Sequence, residues 1–354
     1  MNTIGKKLGI LLVSPLPPPA GGIATWTELY LKSELIKKHN IKVVDISVRG
    51  NRINNFNKKK LLEEIKRNIS VYNDLTKVLR TGKFDVVHLN TSCSKTGMIR
   101  DLLCARKIKK AGNKLVLQCH CNIPSLVNNK FSKSLFKRLI KNSDVVMVLN
   151  SDSSLYIKKM LNREGVIVSN FINNKVINES NYKNTANEIK TIIFVGHVLN
   201  SKGCCEIIEV AKFFPQINFR LVGNISEDFE GILSPKNVTF VGEISKDNVL
   251  IEMKNADLLL FPSHSEGFPL AVLEAMACGL PIIATPVGAI PDMVESSGGI
   301  LVDVGDVSGM IKAIQEIYSP SIREQMSQWN QKKVKSSYTT EVVLTKICDI
   351  YEGI

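Results

Sequence analysis

The fold is decided by residues 256–288, ADLLLFPSHSEGFPLAVLEAMACGLPIIATPVG. The stretch begins with an apolar run of strand length, Asp257–Phe261, and closes with another, Pro281–Thr285. Between them, Pro269 stands where a helix has its first residue, and Gly279 follows where that helix ends. The order strand, loop, helix, strand predicts a buried parallel sheet.

The loop that leads into this helix has the composition of an anion-binding site. It contains a small residue, Gly267, and the backbone N–H groups at the start of a helix attract negative charge. Glu266 stands just before the helix, and Glu274 lies in its second turn on an otherwise apolar helix. A solvated helix with two surface glutamates is therefore the weaker interpretation. Two carboxylates beside free amides predict a ligand with both hydroxyl and phosphate groups.

The segment from Ser265 to Val294, SEGFPLAVLEAMACGLPIIATPVGAIPDMV, resembles the signature of retaining glycosyltransferases of family 4. Glu266 and Glu274 form the E-x(7)-E pair of that signature, and the Gly-Phe-Pro between them with the long continuation makes it specific. The resemblance implies the GT-B fold. In that fold, two Rossmann-like α/β domains face across a cleft that binds a nucleotide sugar, and a C-terminal helix crosses back to the first domain.

Chain length and hydrophobic pattern also predict two α/β domains, because 354 residues suffice for two cores. We predict an N-terminal domain at residues 1–175, an Asn-rich linker at 176–187 and a C-terminal domain at 188–330. The resemblance implies that the first domain binds the acceptor and that the second binds the nucleotide sugar. The resemblance implies that residues 331–354 form the C-terminal helix that packs on the N-terminal domain. Apolar runs predict strands at 7–13, 41–48, 85–89, 115–118, 145–149, 166–168, 192–195, 219–222, 238–241, 257–261, 281–285 and 300–302. The tail from Ile322 to Tyr351 is helical in pattern.

The net charge of +13 is unevenly distributed along the chain. Residues 1–187 hold 33 Lys and Arg against 12 Asp and Glu, whereas residues 188–354 hold 13 against 21. A basic half predicts an anionic partner, such as a membrane surface, a phosphorylated lipid or nucleic acid, and a merely soluble lysine-rich surface is the alternative. Nucleic acid is disfavoured because the basic half lacks interleaved aromatic residues.

One basic segment, Lys130–Lys141, alternates apolar and cationic residues at helical spacing. The pattern is typical of a helix in a membrane interface and equally of a helix packed on its own sheet. No apolar run reaches the length of a membrane span, and the N-terminus is not a convincing signal peptide. The eight cysteines show no metal-ligand spacing, which favours reduced cytosolic thiols. We therefore expect a cytoplasmic protein, peripheral at the inner face of the membrane.

A second pattern, FVGHVLNSKG at residues 194–203, resembles the V-G-R-x-x-x-x-K-G segment of the same family. The resemblance implies that Lys202 holds the donor diphosphate, with His197 standing where the family has Arg. Because His is neutral unless protonated, either His197 is charged when the donor binds or Lys202 carries more of the contact. The donor-binding residues implied by the resemblance are Gly21, Gly22, Gly196, His197, Lys202, Gly267, Phe268, Pro269, Leu270 and Glu274.

Glu266 and His120 are the two residues predicted to be catalytic. The resemblance implies that Glu266 contacts the transferred sugar and that Glu274 accepts hydroxyls of the ribose. His120, at the end of a predicted strand, resembles a family histidine near that sugar. A covalent intermediate and front-face attack both stay open. We predict no metal and no cofactor, because the chain lacks an Asp-x-Asp motif and no other segment assembles oxygen ligands for Mg²⁺.

The predicted function is transfer of a sugar, with retention of configuration, from a nucleotide-diphosphate sugar to a lipid-linked or polysaccharide acceptor of a bacterial cell surface. A UDP-sugar is the favoured donor. One alternative is a nucleotide-sugar epimerase of the same fold, which would not share the E-x(7)-E block. The other is a non-catalytic membrane-surface protein, which the presence of Glu266, Glu274 and Lys202 argues against.

Overall fold

A computed structural model describes residues 7–18, 21–47, 58–173, 176–177 and 188–354, with side chains described from residue 63 onward in the helix that begins at Lys58. The chain forms two compact units. The first unit ends at Asn170 and also includes Thr340–Ile354, and the second unit is Phe171–Thr339. Each unit contains one six-stranded sheet.

The sheet of the first unit is parallel throughout and has the order β2-β1-β3-β4-β5-β6. Its strands are β1 (Gly9–Ser14), β2 (Asn40–Asp45), β3 (Val86–Thr91), β4 (Lys114–Cys119), β5 (Val145–Val148) and β6 (Val166–Ile167). Its helices are α1 (Gly22–Lys32), α2 (Glu34–Lys37), α3 (Lys58–Thr81), α4 (Lys95–Lys110), α5 (Ile123–Leu126), α6 (Lys130–Lys141) and α7 (Ser151–Leu161). The strand order reverses between β1 and β3, which is where a doubly wound sheet binds ligands.

The sheet of the second unit is also parallel, in the order β12-β11-β10-β7-β8-β9. Its strands are β7 (Thr191–Val195), β8 (Asn218–Val222), β9 (Val238–Gly242), β10 (Leu258–Phe261), β11 (Ile282–Ala284) and β12 (Gly299–Leu301). Its helices are α8 (Cys204–Phe213), α9 (Lys246–Asn255), α10 (Leu270–Ala277), α11 (Ile290–Met293), α12 (Val307–Glu316) and α13 (Pro320–Ser337). Counted within the unit, this is the Rossmann order, and it reverses between β7 and β10.

Local sequence explains most of these elements. The inner strands are continuous apolar runs because both faces of a parallel sheet are covered by helices, and all six residues of β3 are buried. Several helices begin at a residue whose side chain accepts a hydrogen bond from a first-turn N–H, namely Ser94, Asn129, Asn150, Ser245 and Asp306. The prediction of two α/β units is confirmed, and each of the twelve predicted strands is present with its ends shifted by at most three residues.

The helical tail is divided differently from the prediction. It forms two helices, α13 and α14 (Thr340–Glu352), and only α14 belongs to the first unit. The chain therefore returns to the first unit at Thr340 rather than at residue 331. Of the predicted linker, Val176 and Ile177 are helical, and residues 178–187 lie outside the described residues.

Helix α14 is anchored in the core of the first unit by Tyr351. Its hydroxyl lies 2.5 Å from Nδ1 of His88, a fully buried residue on β3, and 3.0 Å from the hydroxyl of Tyr30 on α1. Burial raises the pKa of Tyr351, so the hydroxyl stays protonated. The C-terminal helix is thus fixed by polar contacts as well as by its apolar face.

The amphipathic helix α6 packs its apolar face on its own unit. Leu135, Phe136, Leu139 and Ile140 are all buried, and Asn129 forms a capping box at the start of the helix. The periodicity of Lys130–Lys141 is therefore explained by core packing, and its lysines form the exposed face. Any contact of this helix with a membrane would be made by its charged face and by the exposed Phe131.

In the second unit, the loops that follow β7 and β10 touch each other. Gly203 has a φ of +75°, and a Cβ atom there would lie 2.1 Å from the carbonyl oxygen of Pro262. The N–H of His264 donates to the carbonyl of Ser201 at 3.0 Å. A further close approach involves Gly223, whose Cβ position is occupied by the carbonyl of Gly196. These glycines let the loops pack without a side chain between them.

Gly203→Ala should lower the free energy of unfolding by about 2–4 kcal/mol, because it adds a steric clash to the cost of a left-handed backbone. Gly231 is a matched control, since its φ of +77° is nearly the same but no atom lies within 4 Å of the position that an alanine Cβ would take. Gly231→Ala should cost only about 1 kcal/mol. Chemical denaturation of both variants measures the difference, and equal losses would contradict the close loop contact.

Candidate active site

The candidate site of the second unit lies where its strand order reverses. β7 and β10 are neighbours in the sheet and run parallel, so the loops at their carboxyl ends leave the same edge. Ligands of doubly wound sheets bind in the crevice at that edge. The loop after β7 contains Gly196, His197 and Lys202, and the loop after β10 contains Glu266 and Gly267.

The centre of this site is an ion pair between Lys202 and Glu266. Nζ of Lys202 lies 2.5 Å from Oε1 of Glu266, with 24% of the lysine side chain and 12% of the glutamate side chain exposed. An ammonium group has three donors, and a carboxylate accepts at both oxygens, so each partner keeps further hydrogen-bonding capacity. The pair therefore offers a cationic and an anionic group side by side.

The backbone around Glu266 is fixed by the segment that follows β11. Gly288 has a φ of +61°, and a Cβ atom there would lie 2.3 Å from the carbonyl oxygen of Glu266. The N–H of Ala289 donates to the carbonyl of Gly267 at 2.9 Å, and the hydroxyl of Thr285 donates to the carbonyl of Ser263. The T-P-V-G-A sequence thus serves to hold the Glu266 loop.

Helix α10 begins at Leu270, one residue after the predicted first residue, Pro269. Pro269 is the N-cap, its side chain cannot accept from the first-turn N–H groups, and among the described residues no side chain caps this helix. Phe268 is buried and contacts the ring of Tyr338 edge-on, with centroids 5.8 Å apart. The first turn of α10 therefore has uncapped N–H groups with partial positive charge, and it begins four residues after Glu266 in the chain.

Glu274 lies one turn after Leu270 on the same face of α10. Its carboxylate is partly buried, and none of the described residues donates a hydrogen bond to it. Burial raises the pKa of Glu274 to about 7, and the positive charge of Lys246 opposes that shift. A carboxylate with unused acceptor capacity in a poorly solvated place favours a ligand that brings hydroxyl donors.

The two remaining predicted residues of the β7 loop lie at its start. His197 is exposed, and its ring forms no hydrogen bond or ion pair with the other described residues. Gly196 has a φ of +156° and places its carbonyl against Gly223. The N–H of Gly196 donates to Val222 at 2.9 Å, which ties the loop to β8.

In the first unit, His120 follows β4 and is held by a polar network. Its Nε2 lies 3.0 Å from Oδ1 of Asn90, and Nδ2 of Asn90 donates to the hydroxyl of Ser14 at 2.8 Å. Because the Asn90 amide nitrogen is used as a donor, its oxygen accepts, and Nε2 of His120 carries the proton. Nδ1 is left as an acceptor. Burial lowers the pKa of His120 to about 3, and nearby His88 adds to the effect, so the ring is neutral.

The predicted glycines of the first unit precede α1. Gly21 is the N-cap and has no side-chain cap, and Gly22 is the first helical residue. Among the described residues, no atom lies within 4 Å of the Cβ position of Gly22, so the space beside it is open. This loop leaves β1, the strand at which the order of the first sheet reverses.

The structure thus groups the predicted residues by unit. The second unit brings together Gly196, His197, Lys202, Glu266, Gly267, Phe268, Pro269, Leu270 and Glu274, whereas Gly21, Gly22 and His120 belong to the first. Sequence reasoning missed Asn90 and Ser14, although both are polar residues at the carboxyl ends of strands. It also missed the contact of His264 with Glu206 at 2.7 Å.

The described part of the chain contains neither a grouped set of metal ligands nor a membrane-spanning helix. Among these residues, no three His, Cys, Asp or Glu side chains are grouped so that they could hold a metal ion. Every helix in the same ranges is too short or too polar to cross a membrane. The expectation of a metal-free reaction stays a prediction.

Residues 176–335 match the model of the family described as glycosyl transferases group 1. An uncharacterized glycosyltransferase of Methanocaldococcus jannaschii is 26% identical to this chain over 235 residues. The match covers 64% of this chain and 64% of that protein, so this chain spans less than two thirds of the length of that relative. N-acetyl-alpha-D-glucosaminyl L-malate synthase of Bacillus anthracis is 25% identical over 80% of this chain and 78% of that protein. The capsular polysaccharide biosynthesis glycosyltransferase CapM of Staphylococcus aureus is 25% identical over 51% and 50%.

Solved structures match the whole described fold. Sucrose-phosphate synthase from Thermosynechococcus elongatus has a TM-score of 0.76 and 18% identity, covering 98% of this chain and 99% of that one. HepE from Anabaena, in complex with UDP, has a TM-score of 0.72 and 15% identity, covering 98% and 100%. At these identities the likeness concerns the fold, which is the GT-B fold that the sequence predicted.

The raised pKa of Glu274 predicts a pH-dependent stability. A carboxyl whose pKa rises from 4.5 to about 7 on folding binds its proton more tightly in the folded state, so its contribution is full below pH 4.5 and is lost as pH rises through 7. Between pH 5 and 8 the protein should lose about 2–3 kcal/mol more than its Glu274→Gln variant. Denaturant unfolding of both proteins at the two pH values measures this, and parallel pH profiles would refute it.

Proposed function

We propose, from the premise that this chain is a group 1 glycosyltransferase with the GT-B fold, that it is a retaining enzyme of family 4. Its donor is a UDP-sugar, and its acceptor is a lipid-linked or polysaccharide intermediate of a bacterial cell-surface glycan. It acts at the inner face of the membrane, without metal or cofactor. The observation that carries the proposal is the Lys202–Glu266 ion pair at the switch point of the second sheet.

The two charges of the Lys202–Glu266 pair are opposite to the charges that develop on the two sides of the bond that is broken. Breaking the bond between the anomeric carbon and the diphosphate oxygen leaves negative charge on the diphosphate and positive charge on the sugar. Lys202, with two donors left after its bond to Glu266, neutralises the diphosphate, and Glu266 accepts hydroxyls of the sugar. Because Nζ of Lys202 and Oε1 of Glu266 are 2.5 Å apart, the group that binds the diphosphate and the group that binds the sugar are next to each other.

The first turn of α10 supplies the rest of the phosphate site in this proposal. Its N–H groups have no side-chain cap, and they lie next to Glu266 in the chain. A lysine and a helix N-terminus provide the charge that Mg²⁺ provides in metal-dependent transferases, so no metal ion is required. His197 adds a further hydrogen-bond donor through its ring N–H.

Glu274 recognises the ribose. A ribose offers two neighbouring hydroxyl donors, and the Glu274 carboxylate has unused acceptors on the same helix as the phosphate site. Because hydroxyl donors stabilise the ionised carboxylate, donor binding shifts the pKa of Glu274 down from about 7. In the first unit, His120 is neutral and presents Nδ1, which suits it to accept a hydrogen bond from a hydroxyl group.

The comparisons support the choice of donor and acceptor. HepE was solved with UDP, and the name of CapM refers to capsular polysaccharide biosynthesis. The basic charge of residues 1–187 supports an acceptor held at an anionic surface. A nucleotide-sugar epimerase of the same fold is the second candidate. It would consume the UDP-sugar in the absence of any acceptor, which separates the two functions experimentally.

Titration calorimetry with UDP, GDP and ADP in the presence of EDTA should detect binding of UDP. Lys202→Ala should weaken that binding about 10–100-fold, because a charge-assisted phosphate contact is lost, and Glu274→Ala should weaken it about 10-fold. Lys212→Ala is the matched control, since Lys212 lies on α8 in a surface pair with Glu209. Absence of UDP binding to the folded protein, or equal losses in the Lys212 control, would overturn the donor site.

Transfer from a UDP-sugar to a lipid-linked acceptor should give a product that keeps the anomeric configuration of the donor, as NMR of the product would record. Glu266→Gln should lower kcat about 100-fold or more, because it removes both the sugar contact and the partner of Lys202. The exposed Glu227 of the same unit serves as the control for Glu→Gln. An inverted product would refute the retaining assignment.

A further inference from the structure

An apolar groove lies on the surface of the first unit, between helices α3 and α4. Its two sides are formed by Ile65 and Ile69 of α3 and by Ile99 and Leu103 of α4, which are 47%, 55%, 45% and 48% exposed. The groove has a volume of about 410 Å³, and Tyr72 also lines it. Four large aliphatic side chains together in water are unusual for a soluble surface, and such patches mark interaction sites.

The groove is not a by-product of poor packing between the two helices. The inner faces of α3 and α4 are buried in the core of the unit, with Val71, Leu75, Met98, Leu102 and Ala105 all below 10% exposure. Ile65 and Ile69 are four residues apart, as are Ile99 and Leu103, so each pair forms a ridge on the outer side of its helix. The groove is the space between these two ridges.

The charges on the same two helices are mostly positive. From residue 63 onward, the exposed charged residues of α3 and α4 are Lys66, Lys77, Arg80, Lys95, Arg106 and Lys110 against Glu63 and Asp74. Arg100, which also lines the groove, is buried and paired with Asp101 at 2.7 Å. The two helices thus combine an apolar groove with a mostly basic set of exposed side chains, which we call the basic rim.

We infer that this groove docks the first unit on an anionic lipid bilayer, with the four aliphatic side chains in the hydrocarbon boundary and the basic rim at the headgroups. The inference rests on the proposed function, because a lipid-linked acceptor requires the enzyme at a membrane. Apolar burial and attraction to anionic lipid add in such interfacial contacts. Helix α6 is not equivalent, because its apolar face is already buried in the core.

The position of the groove fits this role. Helix α4 starts at Lys95, shortly after the carboxyl end of β3, and Ile99 and Leu103 lie in its second and third turns. The groove is therefore close to the edge of the sheet from which the loops carrying Gly21 and His120 also emerge. A bilayer held there would present an acceptor headgroup to that edge.

A second copy of the chain is the less favourable occupant. A twofold contact through this groove would place the basic rim of one copy against the same basic rim of the other. Like charges facing each other across an interface oppose association. An anionic bilayer has the complementary charge, so the rim strengthens that contact.

The test is sedimentation of the full-length protein with vesicles of phosphatidylcholine alone or with one third phosphatidylglycerol. The protein should bind the anionic vesicles, and Ile69→Ser with Leu103→Ser should weaken the partition about 10–100-fold. Phe213→Ser with Ile251→Ser is the matched control, because both residues are similarly exposed apolar residues of the second unit. The control should bind as the unchanged protein does.

A second variant tests the rim independently of the groove. Lys66→Glu with Arg106→Glu should weaken binding to the anionic vesicles and remove most of its salt dependence, since it reverses two surface charges. Three outcomes would each overturn the inference. They are no binding by the unchanged protein, equal loss of binding in the control variant, and a dimer in light scattering that the Ile69 and Leu103 variant dissociates.

UDP calorimetry on the same samples separates the two proposals. UDP binding without vesicle binding refutes only the docking surface, and vesicle binding without UDP binding refutes only the proposed donor site.

Discussion

The parallel pairing of β7 with β10 is the constraint on which the site of the second unit depends. Ile192 pairs with Leu258 and Ile193 with Leu259, so the loops after both strands emerge together. These loops then pack at van der Waals distance, which requires glycine at position 203. Only this arrangement brings Lys202 to Glu266, 64 residues away in the chain. The ion pair is thus a consequence of strand order rather than of either loop alone.

The same relation between strand order and chemistry holds in the first unit. Its order reverses between β1 and β3, and the polar chain from Ser14 through Asn90 to His120 links the ends of β1, β3 and β4. That chain fixes which nitrogen of His120 carries the proton, and burial keeps the ring neutral. Tyr351 of α14 contacts His88 on β3, the strand that also carries Asn90. The C-terminal helix therefore packs against the strand at the centre of this polar chain.

Burial separates two amphipathic surfaces that periodicity cannot distinguish. The apolar face of α6 is covered by its own unit, while the outer ridges of α3 and α4 are open. All three helices belong to the basic half of the chain, and all three alternate apolar and cationic residues. A hydrophobic pattern records that a face is apolar, whereas the packing of neighbouring helices decides whether that face is inside the molecule or on its surface.

The sequence by itself determined the strands, most helix ends and the spacing of Glu266 and Glu274, because propensities, caps and periodicity act over a few residues. It also indicated Lys202 and His120, through patterns that resemble a known family. Only the tertiary structure decided that Lys202 pairs with Glu266, that the pKa of Glu274 rises to about 7, and that Asn90 orients His120. It likewise placed the start of the returning helix at Thr340. Each of these depends on burial or on contacts between residues far apart in the chain, which no local pattern records.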